Sequence, residues 1–180
     1  FIQGYEQWDS NIEYTNKSYT LPLQRITVSK YLRDLLLEKF NSDSEVILNG
    51  IDFKIFNNPD KIFKKQKQIL FTDNLLEFKK TVNAIETVKS LKLKYPDLKF
   101  KCFGIENYHP MPEYIEFIKD PDDEKIAELY RESDIFLFPV LYEGFGLPPA
   151  EAMACNCAMV GNSVAAIPEF AENMVSAVLT

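Results

Sequence analysis

Apolar residues along the chain repeat at two spacings, one typical of helices and one typical of strands. Over residues 77–95 they recur at helical spacing, at Val82, Ile85, Val88 and Leu91, which predicts a helix that Pro96 ends. Similar patterns predict helices over residues 30–40, 122–133 and 147–156, and Asp122 is a suitable N-cap for the second of them.

Short apolar runs between these helices predict strands. The runs are RITVS (25–29), EVILNGID (45–52, with a turn at Asn49–Gly50), KQILFTD (67–73), LKFKCFG (98–104), EYIEFIKD (113–120), DIFLFPV (134–140) and AMVGN (158–162). The run DIFLFPV is almost entirely apolar, as expected of a strand that is covered on both faces. The alternation of strands and helices predicts an α/β fold, a Rossmann-like doubly wound parallel sheet with helices on both faces.

Composition and charge narrow the class of protein. The chain has 180 residues, of which 46% are hydrophobic, and its formal net charge is −7. The hydrophobic fraction is enough for a buried core, and the acidic balance argues against a nucleic-acid partner or direct binding to an anionic membrane. No apolar run approaches the ~18 residues that a membrane span requires. The sequence opens at Phe1 without a methionine, and we expect it to be a fragment of a longer protein.

The cysteines suggest packing more than chemistry. There are three, Cys102, Cys155 and Cys157, and an odd number in a chain of this size favours a reduced compartment over a disulfide framework. The chain has one histidine and no second cysteine pair, so we expect no metal site at Cys155 and Cys157.

The segment YEGFGLPPAE, residues 142–151, joins a predicted buried strand to a predicted helix. In folds of this class, ligands bind where the carboxyl ends of strands turn into helices. Gly144 and Gly146 have no side chains, so their backbone N–H groups can approach a ligand closely. Pro148 suits a first helical turn, and a helix N-terminus favours phosphate. The segment therefore predicts a phosphate-binding turn.

Two glutamates flank this turn. Glu143 precedes the helix and Glu151 lies about one turn inside it, so one rigid element holds both at different depths. An ionised carboxylate only accepts hydrogen bonds, and sugars and riboses offer hydroxyl donors. We therefore expect one glutamate to bind ribose hydroxyls and the other to bind the hydroxyls of a sugar.

Taken together, the segment YEGFGLPPAEAMACNCAMV resembles the E-x7-E motif of retaining GT-B glycosyltransferases of family 4, the glycosyl transferases group 1. The segments RITVSKYLRDLL, VILNGID, KIAELYRESDIFLFPV and AAIPE resemble other motifs of that family, in its order. The resemblance extends from about Arg25 to the end. The opening FIQGYEQW also resembles bacterial rhamnosyltransferases of this family that build surface polysaccharides.

The resemblance implies a two-domain enzyme and a function for its parts. Residues 1–48 would be the tail of the N-terminal acceptor domain, and residues 49–180 most of the C-terminal domain that binds a nucleotide sugar. The enzyme would transfer a sugar, with retention, from a nucleotide-diphosphate sugar to a glycan or lipid-linked acceptor, without a metal or other cofactor. It would work in the cytoplasm, with peripheral association at the inner face of the membrane.

The same resemblance assigns the site residues. Glu143 would contact the sugar, Glu151 the ribose and Lys79 the diphosphate, so Glu143 and Lys79 are the catalytic candidates. The remaining donor-binding candidates are Gly144, Phe145, Gly146, Leu147, Asn74 and Gly104. Because adjacent helical residues point about 100° apart, only one of Lys79 and Lys80 can face the cleft, and the family pattern selects Lys79.

Four positions depart from the family pattern. Lys80 stands where the family has a glycine, Asn74 stands near an expected arginine, and Ala165–Ala166 replace paired glycines. The first two change the charge near the diphosphate. The additional Cβ atoms of the alanines would narrow the choice of donor sugar.

Alternatives remain at this point. Asp120–Pro121–Asp122 is a D-x-D that could hold a divalent cation in a GT-A transferase, although Asp122 also suits a helix cap. A non-catalytic nucleotide-binding module is a second alternative. His109 could be a catalytic base, but a packing role is the preferred interpretation. Because most of its domain would be missing, the segment from Phe1 to Thr20, with its apolar residues Ile2, Tyr5 and Trp8, is expected to be loosely held or paired with another chain.

Overall fold

The computed structural model describes residues 1–6, 11–62 and 64–180. The first 50 residues contain two helices and a small parallel sheet, namely α1 (Ile12–Ser18), β1 (Ile26–Thr27), α2 (Lys30–Phe40) and β2 (Glu45–Val46). Strand β1 pairs with β2, and Ile2 forms a further parallel bridge to Thr27. This small sheet stands apart from the main sheet in its hydrogen bonding.

The main sheet has six parallel strands. They are β3 (Gln68–Thr72), β4 (Lys99–Gly104), β5 (Ile115–Lys119), β6 (Ile135–Phe138), β7 (Ala158–Gly161) and β8 (Ala177–Leu179). Their order across the sheet is β5-β4-β3-β6-β7-β8, and every pair is parallel. The predicted fold class, an α/β doubly wound parallel sheet, is confirmed.

Helices cover both faces of this sheet. They are α3 (Thr81–Lys94), α4 (Asp123–Glu132) and α5 (Leu147–Ala154), with two short 3-10 turns at Glu77–Lys79 and Ile167–Glu169. Alternate residues of β3 pack into the hydrophobic cores on the two faces of the sheet, because successive side chains of a strand point to opposite faces. Ile69 and Phe71 pack with α3, whereas Leu70 packs with α4 and α5. In the described part of the chain, no helix is long and apolar enough to cross a membrane.

The strand order reverses between β3 and β6. The chain builds outward from β3 to β4 and β5, and then returns to place β6 on the other side of β3. The loops that follow β3 and β6 therefore leave the same edge of the sheet side by side and diverge in opposite directions. Such a switch point opens a crevice, which is where ligands of open α/β sheets bind.

Several sequence predictions are confirmed closely. Helix α2 spans the predicted residues, and Ser29 caps it by accepting a hydrogen bond from the backbone N–H of Leu32 at 3.2 Å. Helix α4 begins after the predicted N-cap Asp122, whose Oδ1 accepts from the N–H of Lys125 at 2.8 Å. The strand predicted to run from Glu45 to a turn at Asn49–Gly50 is shorter than expected, because β2 ends at Val46 and residues 47–50 form neither strand nor turn.

The predicted continuous helix over residues 77–95 is also wrong. A 3-10 turn ends at Lys79, Lys80 adopts a left-handed backbone with φ of 54°, and helix α3 begins only at Thr81. The apolar spacing starts at Val82, so it could not reveal a break two residues earlier. Lys80 stands where the family pattern has a glycine, the residue that adopts this conformation without strain.

Part of the N-terminal segment packs against the rest of the chain, so the expectation of a loosely held segment is wrong around Tyr5 and Tyr19, whereas Phe1 is 73% exposed and helix α1 has no buried residue. Tyr5 and Tyr19 are buried, and the backbone N–H of Tyr5 donates a hydrogen bond to the hydroxyl of Tyr142. The backbone of Gln3 lies so close to Gly144 that a Cβ there would overlap its carbonyl oxygen. The remaining apolar residue of the prediction, Trp8, lies outside the described residues.

A substitution at Gly144 tests this packing. Gly144→Ala should lower the free energy of unfolding by about 1–3 kcal/mol, the usual cost of overpacking, because the added methyl must displace the Gln3 backbone. Gly50→Ala is the matched control, since no atom lies within 4 Å of its added Cβ. Urea denaturation measures both. Equal stability of the two variants would contradict the packing of the N-terminal segment on Gly144.

Candidate functional site

Lys79 and Glu143 form an ion pair across the switch point. Lys79 follows β3 and Glu143 follows β6, and the ammonium nitrogen Nζ lies 2.6 Å from Oε2 of the carboxylate. Only 19% and 16% of the two side chains are exposed. The reversal of strand order thus brings together the two catalytic candidates, which are 64 positions apart in the sequence.

The 3-10 turn is what aims Lys79 at this point. The N–H of Leu141 donates to the carbonyl of Phe78 at 2.8 Å, which ties the loop after β3 to the loop after β6. The ammonium of Lys79 lies 5.4 Å from the ring centre of Phe78 and 6.0 Å from that of Phe138, within the range of cation–π attraction. Lys80, by contrast, pairs with the exposed Glu77 at 3.5 Å. The selection of Lys79 by the family pattern agrees with this geometry. The helical spacing that was expected to let only one of the two lysines face the cleft does not apply, because Lys79 ends a 3-10 turn and Lys80 is left-handed.

The turn before α5 presents unused backbone donors. Gly146 is the N-cap, with φ of 101°, a conformation that only glycine adopts easily. Pro148 and Pro149 have no N–H, so the free donors lie in the turn itself. Within the described chain, the N–H groups of residues 144–146 donate no hydrogen bond, although all three residues are buried. Buried backbone donors are almost always paired, so this turn is suited to an anion that accepts from them.

Glu151 lies on α5, one turn beyond Pro148. Burial, and to a smaller extent the nearby charge of Asp123, raises the pKa of its carboxyl group from 4.5 to about 7. Near neutral pH the carboxyl group is therefore protonated in some molecules and ionised in others, so it can donate or accept a hydrogen bond. A pKa shifted in this way is common for carboxyls in binding clefts.

A cavity of about 200 Å³ runs along the carboxyl edge of the sheet beside Lys79. Among the predicted site residues, Lys79, Asn74 and Gly104 line it, together with Pro148 of α5. Glu143 adjoins it through the ion pair with Lys79. The structure thus brings most of the predicted polar groups to one end of the sheet.

Two predicted donor-binding residues also make structural contacts. The ring of Phe145 lies in the buried cluster of the N-terminal segment, with its centre 5.4 Å from that of Phe170. Asn74 lines the cavity, but its Oδ1 accepts from the N–H of Leu76 at 2.9 Å and so shapes the turn. Leu147, the first residue of α5, is exposed.

Asp73 is a residue of the site that the sequence analysis missed. It ends the β3 run, its side chain is fully buried, and its carboxylate accepts from the N–H groups of Tyr108 at 2.8 Å and His109 at 3.2 Å. Its Oδ1 lies 2.6 Å from Nδ1 of His109. His109 is not among the residues that line the cavity beside Lys79. The pair anchors the loop from β4 to β5, consistent with the preferred packing role of His109.

Residues of the first 48 positions hold the E-x7-E segment in place, which the sequence did not suggest. The hydroxyl of Ser29 donates to the carbonyl of Gly144 at 2.6 Å. The carboxylate of Glu169 accepts from the N–H groups of Lys30 and Tyr31, at 3.0 and 2.7 Å, at the start of α2. A negative charge at a helix N-terminus is favourable. A cap shared between such distant segments leaves no signal in the local sequence pattern.

The two aspartates of the D-x-D alternative have different surroundings in the structure. Asp122 caps α4, whereas Asp120 lines the cavity. No cluster of three or more potential metal ligands occurs within the described residues.

The cysteines are buried, and burial raises the pKa of Cys155 to about 11 and that of Cys157 to about 12, so their thiols stay protonated at neutral pH.

Comparison with known proteins gives a family match and several relatives. The profile of the family described as "Glycosyl transferases group 1" matches residues 52–180. The serotype-specific mannosyltransferase WbdA of Escherichia coli is 52% identical over 48 residues, which are 27% of this chain and 6% of WbdA. The O-antigen chain mannosyltransferase RfbU of Salmonella typhimurium is 27% identical over 175 residues, which are 86% of this chain and 45% of RfbU.

The fold also matches solved glycosyltransferase structures of the GT-B type. The structure of HepE from Anabaena in complex with UDP-glucose superposes with a TM-score of 0.77 at 18% identity, covering 95% of this chain and 53% of HepE. The chain therefore spans about half the length of RfbU and HepE. Since the family profile covers most of its residues, the chain belongs to the glycosyl transferases group 1 family.

Proposed function

We propose that this chain contains the donor-binding half of a retaining GT-B glycosyltransferase of family 4. The observation that carries the proposal is the Lys79–Glu143 ion pair at the switch point, beside a turn with unpaired N–H groups. A nucleotide-diphosphate sugar supplies the groups that suit these residues, namely an anionic diphosphate and sugar hydroxyls. The complex of HepE with UDP-glucose supports a donor of this type.

Each site residue has a distinct task in the proposed reaction. Breaking the bond between the anomeric carbon and the diphosphate oxygen leaves negative charge on the diphosphate. Lys79 and the N–H groups of the turn before α5 stabilise that charge, so no metal or other cofactor is required. Glu143 accepts hydrogen bonds from the sugar hydroxyls, and Glu151 accepts them from the ribose.

The acceptor and the pathway follow from the relatives. WbdA and RfbU carry mannosyltransferase names, and RfbU is named for the O-antigen chain. We therefore propose a glycan or lipid-linked acceptor in bacterial surface-polysaccharide synthesis, and transfer of a mannose-type sugar. Rhamnose stays an alternative sugar, from the resemblance of the opening segment. The proposed reaction would occur in the cytoplasm, at the inner face of the membrane, with residues 1–48 belonging to the acceptor domain.

Binding of nucleoside diphosphates tests the proposal directly. Lys79→Ala should weaken nucleoside diphosphate binding by about 1.5–3 kcal/mol, the value of a hydrogen bond to a charged group, and leave binding of the bare nucleoside unchanged. Calorimetry measures both ligands. Lys80→Ala is the matched control, since Lys80 pairs with the exposed Glu77. Equal losses in the two variants would show that only general charge matters, and absence of binding to the unaltered chain would refute the proposal.

The role of Glu143 separates binding from turnover. Glu143→Gln should strengthen nucleoside diphosphate binding, because Lys79 then loses its competing carboxylate partner. In the whole enzyme the same change should lower sugar transfer by about 10²-fold or more, by analogy with the loss of one preorganised site group. Weaker nucleotide binding together with normal transfer would mean that the roles of Glu143 and Glu151 are reversed.

The raised pKa of Glu151 predicts a pH-dependent stability. Between pH 4.5 and about 7 the folded chain binds more protons at this group than the unfolded chain, so stability falls as the pH rises through that window. Glu151→Gln should therefore raise the melting temperature at pH 8 and leave it unchanged at pH 4. Glu128→Gln is the control, because a hydrogen bond from Lys125 lowers the pKa of Glu128. A melting difference that is independent of pH would contradict the burial of an ionisable Glu151.

A further inference from the structure

The cavity beside Lys79 extends away from the ion pair to the far strand of the sheet. At that end it is lined by Gly104 at the end of β4 and the following Ile105, by Asp120 and Pro121 after β5, and by Ile126 of α4. Three strand spacings separate β6 from β5, a distance of about 14 Å along the sheet edge. A nucleoside diphosphate that places its phosphates at Lys79 would therefore place its base near Asp120, and this step rests on the proposed function.

The walls at this end are suited to a flat, partly apolar ring. Ile105 is 67% exposed, and Ile126 is partly buried against the main core. Pro121, which lies between Ile105 and Ile126 in the sequence, adds a rigid apolar surface. The buried carboxylate of Asp73 fixes the loop that begins at Ile105, by the bonds to Tyr108 and His109. The pocket wall is therefore preorganised.

Asp120 supplies the polar group of this pocket. Its N–H donates to the carbonyl of Gly104 at 2.7 Å, and its backbone is left-handed, with φ of 44°. Its carboxylate makes no hydrogen bond or ion pair with any described residue. The neighbouring charges have other partners, since Asp122 caps α4 and Lys119 pairs with Glu106 at 2.5 Å. Asp120 is thus an available acceptor with two oxygens.

Guanine is the base that matches such an acceptor. It carries two adjacent donors, N1–H and the 2-amino group, which a carboxylate can accept together as a fork. Uracil and thymine present a single N–H between two carbonyl oxygens, and those oxygens repel a carboxylate. Adenine and cytosine present one amino group next to a ring acceptor. We propose that Asp120 selects guanine, so that the donor of this enzyme is a guanosine diphosphate sugar.

Calorimetry with three nucleotides tests the proposal. The probes are guanosine diphosphate, inosine diphosphate (which lacks the 2-amino group) and uridine diphosphate. The unaltered chain should bind guanosine diphosphate about 5- to 150-fold more tightly than either of the others, the range of one bidentate contact to a base. Asp120→Asn retains the size of the side chain and the tolerance for a left-handed backbone. It should reduce guanosine diphosphate binding and bring the ratio to inosine diphosphate close to one.

Asp97→Asn is the matched control. Asp97 is exposed and lies in the turn before β4, at the opposite edge of the sheet, so the same change of charge there should alter no ratio. Melting temperatures confirm that both variants fold. Tightest binding of uridine diphosphate, or an unchanged ratio in Asp120→Asn, would overturn the guanine assignment while the proposed function stands. Failure of all three nucleotides to bind would overturn the proposed function itself.

Discussion

The reversal of strand order between β3 and β6 is the constraint on which the site depends. In a parallel sheet every strand delivers its following loop to the same edge, and a reversal makes two neighbouring loops diverge. Here those loops carry Lys79 and Glu143. The two side chains meet at 2.6 Å only because β3 and β6 are paired, for example through Ile69 and Ile135. The site is therefore a direct consequence of topology.

The chemistry of that ion pair suits a place where an anionic ligand could bind. Partial burial of an ammonium and a carboxylate costs hydration, and the cost is recovered only with good geometry and further hydrogen bonds. Lys79 has the nearby faces of Phe78 and Phe138 in addition to Glu143. A partly buried ammonium is stabilised by an anionic partner, so a bound anion could take the place of Glu143. The pair keeps Lys79 extended toward the crevice.

The sequence predicted the parts of the fold that local patterns determine. The helical spacing over 30–40 and the Asp122 cap predicted the bounds of α2 and α4 to within about one residue. The almost entirely apolar run DIFLFPV predicted the central strand β6. The turn between strand and helix indicated Glu143 and Glu151, and the resemblance to the family selected Lys79 and assigned a role to each glutamate. Local patterns carry no information on contacts between distant residues. The bond between Tyr5 and Tyr142, which are 137 positions apart, and the contact of Ser29 with Gly144 therefore had no signal. The break at Lys80 was missed for a different reason. Lysine favours helices, so its presence did not indicate a left-handed backbone, whereas a glycine at this position would have indicated one.

Lys80, Asp120 and Ala165 are all left-handed, and each follows a strand at the carboxyl edge of the sheet, after β3, β5 and β7. By contrast, left-handed Asn156 follows helix α5, where asparagine is a common terminator, and Met174 precedes β8 at the opposite edge. Such a backbone costs roughly 1–2 kcal/mol for a residue with a Cβ. Three of the six left-handed residues with a Cβ in the described part of the chain thus lie at the edge where ligands of such sheets bind. A sheet with covered faces is rigid enough to hold these loops in place, and strain held by a rigid framework is typical of binding sites.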